Sequence, residues 1–97
     1  MRQDEAGDLI VARSGALMEA PAGREMVGLD VGSGTCFGFN VTAHRIWQLI
    51  AQPVSLSQLC GALSKEFAVD PDIVARDVRT LLDELAADGL VTLSRPD

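Results

Sequence analysis

Histidine and cysteine, which are common in catalytic and metal-binding sites, occur three times in this chain, as His44, Cys36 and Cys60. His44 has no serine or carboxylate at a spacing typical of a general base and its partner. The three residues also do not follow the spacing of a zinc site. We therefore expect a partly exposed helix residue in His44 and two small buried apolar side chains in the cysteines, with no catalytic residue, metal or cofactor.

A glycine-rich stretch, residues 28–34, raises a second possibility, the binding of phosphate by backbone N–H groups. Its sequence is Gly-Leu-Asp-Val-Gly-Ser-Gly, and it lies between two predicted strands. Phosphate-binding glycine loops lead instead into the N-terminus of a helix. We interpret these glycines as turn residues, since glycine adopts the positive φ angles that a hairpin needs.

The first forty residues predict β-structure. Residues 1–8 are polar and predict a flexible arm. Residues 9–13 and 16–20 are short apolar runs that predict a bent strand or a tight hairpin, and residues 25–31 and 35–40 alternate on either side of the glycine turn. We expect an N-terminal three-stranded antiparallel sheet with residues 35–40 as its third strand.

After residue 40 the apolar period changes from two to about 3.6, which is the period of a helix. Three helices are predicted, over residues 43–51, 55–67 and 71–88. Their predicted N-caps are Thr42, Ser55 and Asp70. Gly89 is the predicted stop, and residues 90–94 predict a short closing strand.

The predicted core combines both halves. Trp47 is assigned to it, and the third helix contributes an apolar stripe of Val74, Val78, Leu81 and Leu85. The 97 residues make one domain, over residues 9–97 after the arm. The predicted fold class is α+β, a winged helix-turn-helix in which a three-stranded sheet is followed by three helices.

Composition and charge exclude several functions. Hydrophobic residues make up 47% and charged residues 23% of the chain, as in a folded globular domain. The chain has 8 Lys and Arg against 14 Asp and Glu, a net charge of −6, which argues against nucleic acid as a partner. The longest apolar run near the N-terminus is residues 9–12, too short for a signal peptide or a membrane span, so we expect a cytoplasmic protein with no membrane partner.

DNA binding is the alternative that the predicted elements themselves raise, because three helices with a hairpin are typical of DNA-binding domains. The last helix should then carry basic or amide side chains into the major groove. Together with its cap, Asp70, this helix carries six acids and only two basic residues, Arg76 and Arg79. A DNA-binding regulator therefore stays a disfavoured alternative.

Two groups of motifs identify a family. Behind the glycine turn and an aromatic strand come Phe39-Asn40, Thr42-Ala43 and Ile46-Trp47. Farther along come Asp77-Val78, Leu81-Leu82, Leu85 and Gly89-Leu90. In this order and spacing, over residues 9–94, the chain resembles PqqD-like proteins, the peptide-recognition elements of ribosomal peptide natural-product pathways. Phe39 stands where leucine is more usual in the family, and it keeps an apolar side chain.

The resemblance implies a non-catalytic adaptor that binds the leader segment of a precursor peptide. In such domains the leader adds as an antiparallel strand to the third strand of the sheet and lies against the third helix. An open edge at residues 35–40 would supply the N–H and C=O groups for this pairing. Side chains between the strand and the third helix would then select the peptide.

Candidate peptide-binding residues follow from that resemblance and from a helical wheel of the third helix. They are Thr35, Cys36, Phe37, Gly38 and Phe39 on the strand, and Ile73, Arg76, Asp77, Thr80 and Leu81 on the helix. The flank with Ile73, Asp77 and Thr80 is preferred because polar groups beside apolar ones could hydrogen-bond a leader side chain. The sequence leaves open the opposite flank, Ala75, Arg79, Leu82 and Ala86.

The pathway is left open between two members of the family. Short free-standing members resemble the proteins of lasso-peptide biosynthesis, which pass the precursor to a leader peptidase and then to a cyclase or other modifying enzyme. The chaperone of pyrroloquinoline quinone biosynthesis is the alternative. The length and residues 40–47 favour the lasso pathway, and the acids of the third helix suggest a leader with some basic character.

Overall fold

The computed structural model of the chain describes residues 9–95, so the predicted flexible arm, residues 1–8, lies outside the described residues. Four strands come first in this part of the chain, and three helices and two short strands follow them. The strands are β1 (Ile10–Arg13), β2 (Met18–Ala22), β3 (Glu25–Asp30), β4 (Thr35–Phe39), β5 (Val54–Ser55) and β6 (Val91–Ser94). The helices are α1 (Val41–Leu49), α2 (Leu56–Phe67) and α3 (Pro71–Ala87). The α+β class is confirmed.

One sheet is built from three consecutive strands in the order β2-β3-β4, all antiparallel. Its inner face buries Met26 and Phe39, which lie opposite each other on β3 and β4. The predicted N-terminal three-stranded antiparallel sheet is therefore confirmed. Its first strand is β2, however, and not the run at residues 9–13.

A second sheet, in the order β5-β1-β6, joins segments that are far apart in sequence. Val11 of β1 is fully buried and pairs with Val54 on one side and Leu93 on the other. The Ser14 N–H donates to the Leu90 carbonyl at 2.9 Å, which holds the chain after β1 beside the end of α3. The predicted closing strand is therefore present as β6. The bent strand or hairpin predicted for residues 9–20 is wrong, because β1 finds its partners at the other end of the chain.

The glycines of residues 28–34 have two different roles. Gly34 lies in the turn between β3 and β4 with φ at 76°, in the left-handed region that glycine favours. Gly28, in contrast, is a buried residue of β3, and a Cβ there would lie 2.7 Å from the Leu17 side chain. The turn interpretation is therefore wrong for Gly28. Glycine is needed there because the Leu17 side chain leaves no room for a Cβ.

The helices begin at residues that satisfy their first N–H groups. Ser55 and Asp70 are the N-caps of α2 and α3, as predicted. For α1 the prediction of Thr42 is wrong, because Asn40 is the cap and its Oδ1 accepts from the Ala43 N–H at 2.8 Å. Asn40 follows β4 directly, so the helix starts as soon as the strand ends. None of the helices within residues 9–95 is long and apolar enough to cross a membrane.

The core lies between the helices and the inner faces of both sheets. Trp47 is 1% exposed, as predicted, and its ring packs on Phe39 with centroids 5.7 Å apart. On α3 the third position of the stripe is Leu82, which is fully buried, and not Leu81. Both positions fit a helical period after Val78, so the rotation of α3 in the packed domain decided between them.

Candidate functional site

The free edge of β4 is the first component of the site. β2 and β4 are the outer strands of the first sheet, and each therefore has one side without a strand partner in the described structure. Pro21 lies within β2 and removes an N–H donor there, whereas β4 contains no proline. The edge that can accept another strand without a missing donor is that of β4.

A cavity of about 340 Å³ is the second component, and it begins where β4 ends. Asn40 forms part of its wall, followed by residues of α1, of the end of α2 and of α3. Its lining residues are Asn40, Thr42, Ala43, Ile46, Leu63, Phe67, Val69, Val74, Asp77, Val78 and Leu81. The wall is mainly apolar, so this cavity suits an apolar side chain delivered along the edge of β4.

The predicted strand residues differ in what they can offer to a ligand. Phe39 is 3% exposed and packs in the core, which leaves only its backbone near the edge. Phe37 is half-buried on the same inner face, and Thr35 and Gly38 are exposed. Cys36 is also exposed, so the expectation that it is a buried apolar side chain is wrong.

Of the predicted helix residues, Asp77 and Leu81 line the cavity. Leu81 is half-buried there, because Leu82 occupies the core position instead. Ile73, 44% exposed, and Arg76 and Thr80, also exposed, do not belong to the cavity wall. The Thr80 Oγ1 donates to the Arg76 carbonyl at 3.1 Å, within α3 itself.

Sequence reasoning missed the residues that α1 and α2 contribute to the wall. The sequence predicts a strand end at Asn40 and a helix cap at Thr42, and Ile46 enters only as part of the Ile46-Trp47 motif. Leu63 and Phe67 of α2 were not considered for the site. The motif that carries the family resemblance, residues 40–47, was the available signal, because it runs along this wall.

His44 lies on the other flank of α1. Its Nδ1 is 3.1 Å from the Arg24 carbonyl oxygen, and the adjacent Arg45 Nε donates to Glu66 Oε1 at 2.9 Å. These residues border a second cavity of about 310 Å³. Within residues 9–95, no three histidine, cysteine or acidic side chains are close enough together to hold a metal ion.

The cysteines lie in different environments. Cys36 is exposed on β4, whereas Cys60 lies half-buried on α2, where burial raises the pKa of its thiol. A buried neutral thiol is a packing group and a poor nucleophile at neutral pH.

The outer face of the β2-β3-β4 sheet is the third component. Residues opposite each other on paired strands share a face, and the register therefore defines this one. Its members are Met18, Ala20, Ala22, Glu25, Val27, Leu29, Cys36 and Gly38, of which only Glu25 is charged. Met18 is 63% and Val27 43% exposed. An antiparallel sheet with one solvated face normally carries polar residues there, so an outer face that is mainly apolar indicates a surface for a partner.

Comparison with known proteins agrees with this geometry. No curated protein matches the chain. Among solved structures, a chain described as "TbiB1 in Complex with the TbiA(beta) Leader Peptide" is similar to it, with a TM-score of 0.73 and 32% sequence identity over 82% of this chain and 93% of that chain. The family model described as "Coenzyme PQQ synthesis protein D (PqqD)" matches residues 25–91, from β3 to the start of β6. The chain therefore belongs to the PqqD family.

Proposed function

We propose that this protein is a non-catalytic adaptor that binds the leader segment of a ribosomally synthesised precursor peptide and presents it to a leader peptidase and modifying enzymes. The observation that carries the proposal is the unblocked edge of β4, which ends at an apolar cavity bounded by α3. The similar structure of TbiB1 contains a leader peptide, which supports the same class of ligand here.

The proposed pose divides affinity and selectivity between two elements. Backbone groups of β4 pair with the leader as an antiparallel strand, which contributes hydrogen bonds regardless of sequence. The cavity then receives an apolar leader side chain against Val74, Val78 and Leu81. Among the strand candidates, Thr35 to Phe39 would act mainly through the backbone. On α3, Asp77 and Leu81 would contact the peptide, with Ile73, Arg76 and Thr80 farther out.

The test is a titration of the isotopically labelled protein with the leader segment of its cognate precursor peptide. Backbone amide shifts are expected along β4 and in α3, with micromolar or tighter affinity. Leu81→Asp should weaken binding by at least about tenfold, because it puts a charge into the apolar wall. Val27→Asp, on the outer face, is the matched control and should bind normally. Shifts confined to α2 and the far flank of α1 would exclude the proposed groove.

Presentation to an enzyme needs a second surface, and the outer face of the sheet is suited to it. Cys36 and Gly38 of that face belong to β4, the strand whose edge would hold the leader. An added leader strand would extend the same sheet, so an enzyme that covers the outer face would also contact the leader. We therefore propose that the leader peptidase docks on Met18, Val27 and Leu29 through an apolar surface of its own.

The two variants separate the two surfaces. Val27→Asp should leave leader affinity unchanged and slow leader removal by the peptidase by about tenfold, since a charge at the centre of an apolar interface is costly. Leu81→Asp should slow removal by weakening leader binding, and a higher leader concentration should restore the rate. Normal processing with Val27→Asp would show that the peptidase binds elsewhere.

For the pathway, we favour lasso-peptide maturation over the pyrroloquinoline quinone precursor. Residues 40–47, which carry that resemblance, contribute Asn40, Thr42, Ala43 and Ile46 to the cavity wall. Titration with leaders from both classes of precursor tests the choice, and tighter binding of the quinone precursor would reverse it. Because ribosomal precursors are made in the cytoplasm, we propose that compartment for the complex.

DNA binding remains the disfavoured alternative. The element order is compatible with a winged helix-turn-helix, which stays a prediction. Arg79, one of two basic residues of α3, donates to Asp83 at 3.1 Å and is engaged within the helix. We expect no mobility shift of a random duplex at low salt, the condition most favourable to nonspecific binding.

A further inference from the structure

The cavity contains one charged group in an otherwise neutral wall. Among the described residues that line it, only Asp77 has an acidic or basic side chain, and the polar residues Asn40 and Thr42 have neutral side chains. Asn40 is also engaged, because its Oδ1 caps α1. A ligand in this cavity therefore meets apolar side chains and a single carboxylate.

Nothing within residues 9–95 neutralises that carboxylate. The ion pairs of the neighbouring helices join other residues: Arg79 to Asp83 at 3.1 Å and Arg45 to Glu66 at 2.9 Å. Arg76 precedes Asp77 directly, and consecutive helix residues do not face each other. In the described structure, no ion pair or side-chain hydrogen bond reaches Asp77.

The elements beside the cavity make the electrostatic potential around Asp77 more negative. β4, along which a peptide would arrive, carries no charged side chain from Thr35 to Phe39. α3 and its two caps carry six acids against two arginines. A peptide between these elements thus lies beside a neutral strand on one side and an acidic helix on the other.

We propose that Asp77 makes the groove selective for a leader that carries a lysine or arginine at one fixed position relative to the apolar residue that enters the cavity. This inference rests on the proposed function and names the chemistry that the same groove selects. The methylene stem of such a side chain can lie on the apolar wall while its cationic head reaches the Asp77 carboxylate. Asp77 is exposed, so its contribution is selectivity more than affinity.

The test selects ligands from a displayed library of random peptides long enough to span β4 and the cavity. The intact protein is used as wild type and as Asp77→Asn, Asp77→Lys and Glu84→Gln. Glu84→Gln is the matched control, because it removes one negative charge from α3 outside the cavity. Thermal melting checks that each variant folds.

Wild type and Glu84→Gln should enrich lysine or arginine at one fixed position relative to an apolar residue. Asp77→Asn should keep the apolar residue and lose the basic one, and Asp77→Lys should select an acid there. Replacing that lysine by glutamine in a selected peptide should weaken binding to wild type by about two- to fivefold, less at high salt, and leave Asp77→Asn unaffected.

Two results would overturn the inference while leaving the proposed function in place. One is a wild-type selection with an apolar residue and no basic position. The other is the same basic position in the Asp77→Asn selection. If no peptide of any kind is enriched, the proposed function itself fails, and the inference fails with it.

Discussion

The two sheets of this small domain are built in opposite ways. The β2-β3-β4 sheet uses consecutive strands, keeps a free edge on β4 and exposes an outer face that is mainly apolar. The β5-β1-β6 sheet pairs segments from the beginning, middle and end of the described chain around the fully buried Val11. One sheet therefore closes the domain, and the other leaves its bonding groups and apolar surface available to partners.

This difference assigns stability mainly to the β5-β1-β6 sheet and the proposed functional contacts to the β2-β3-β4 sheet. The central strand of the closing sheet, β1, is hydrogen-bonded on both sides. A substitution in this strand should therefore destabilise the whole core. The open sheet carries both proposed contacts, the leader on its edge and the peptidase on its outer face. The two are joined at Trp47, whose Nε1 donates to Glu19 of β2 at 2.9 Å and whose ring lies 4.1 Å from the Arg13 guanidinium of β1.

The largest expected effect is the difference in stability between two variants that each place an aspartate in one of the sheets. Val11→Asp should abolish cooperative unfolding, because an unpaired buried carboxylate costs several kcal/mol, about the stability of a small domain. Ala20→Asp, on the outer face of the open sheet, should cost less than about 1 kcal/mol. Chemical denaturation followed by circular dichroism measures both. Comparable losses in the two variants would contradict the separation of roles.

Hydrogen exchange should distinguish the sheets in the unliganded protein. Amides of β1 are expected to exchange slowest, whereas every second amide of β4 faces the free edge and should exchange quickly. A saturating leader should slow those β4 amides by about a hundredfold when it is present at about a hundred times its Kd. Uniform protection of β4 without leader would mean that its edge is already covered.

The cysteines provide a smaller, site-specific comparison. Cys36 on the open sheet should react with iodoacetamide at least about tenfold faster than Cys60 at neutral pH. Burial raises the pKa of the Cys60 thiol, so its reactive thiolate is scarce until the pH approaches that elevated pKa. Mass spectrometry of partly labelled protein gives both rates, with urea-unfolded protein as the control. Equal rates in the folded protein would show that Cys60 is as accessible as Cys36.

The smallest effect is expected where the sheets meet. Glu19→Gln keeps an acceptor for Trp47 and removes the charge that lies 4.0 Å from Arg13, so it should cost under about 1 kcal/mol. Glu19→Ala also removes the acceptor and should cost about 1 kcal/mol more. A loss from Glu19→Gln as large as that from Glu19→Ala would assign the effect to the charge.

Sequence reasoning recovered the elements whose signals are local. Ser55 and Asp70 cap helices because their side chains reach N–H groups two or three residues away. The hairpin of β3 and β4 was found for the same reason, since its strands flank a glycine turn. The cap of α1 was missed by two residues because Asn40 and Thr42 are both favourable caps, and the point where β4 ends selected Asn40.

The candidate site was recovered in part. Its strand and two of its helix residues, Asp77 and Leu81, followed from the resemblance and the helical wheel. The wall supplied by Ile46 and Phe67 was missed, because a periodic pattern identifies the apolar face of a helix but not the helices that border a given space. The exposure of Cys36 was missed because alternation along a strand does not say which face is covered.

The sequence by itself determined the family, the helices, the hairpin and the acidic character of α3, because caps, turns, periodicity and charge act over a few residues. The tertiary structure decided that β1 pairs with β5 and β6, that Leu82 enters the core while Leu81 lines the cavity, and that the outer face stays uncovered. Each of these depends on contacts between segments distant in sequence, where several local solutions have nearly the same energy and packing selects one.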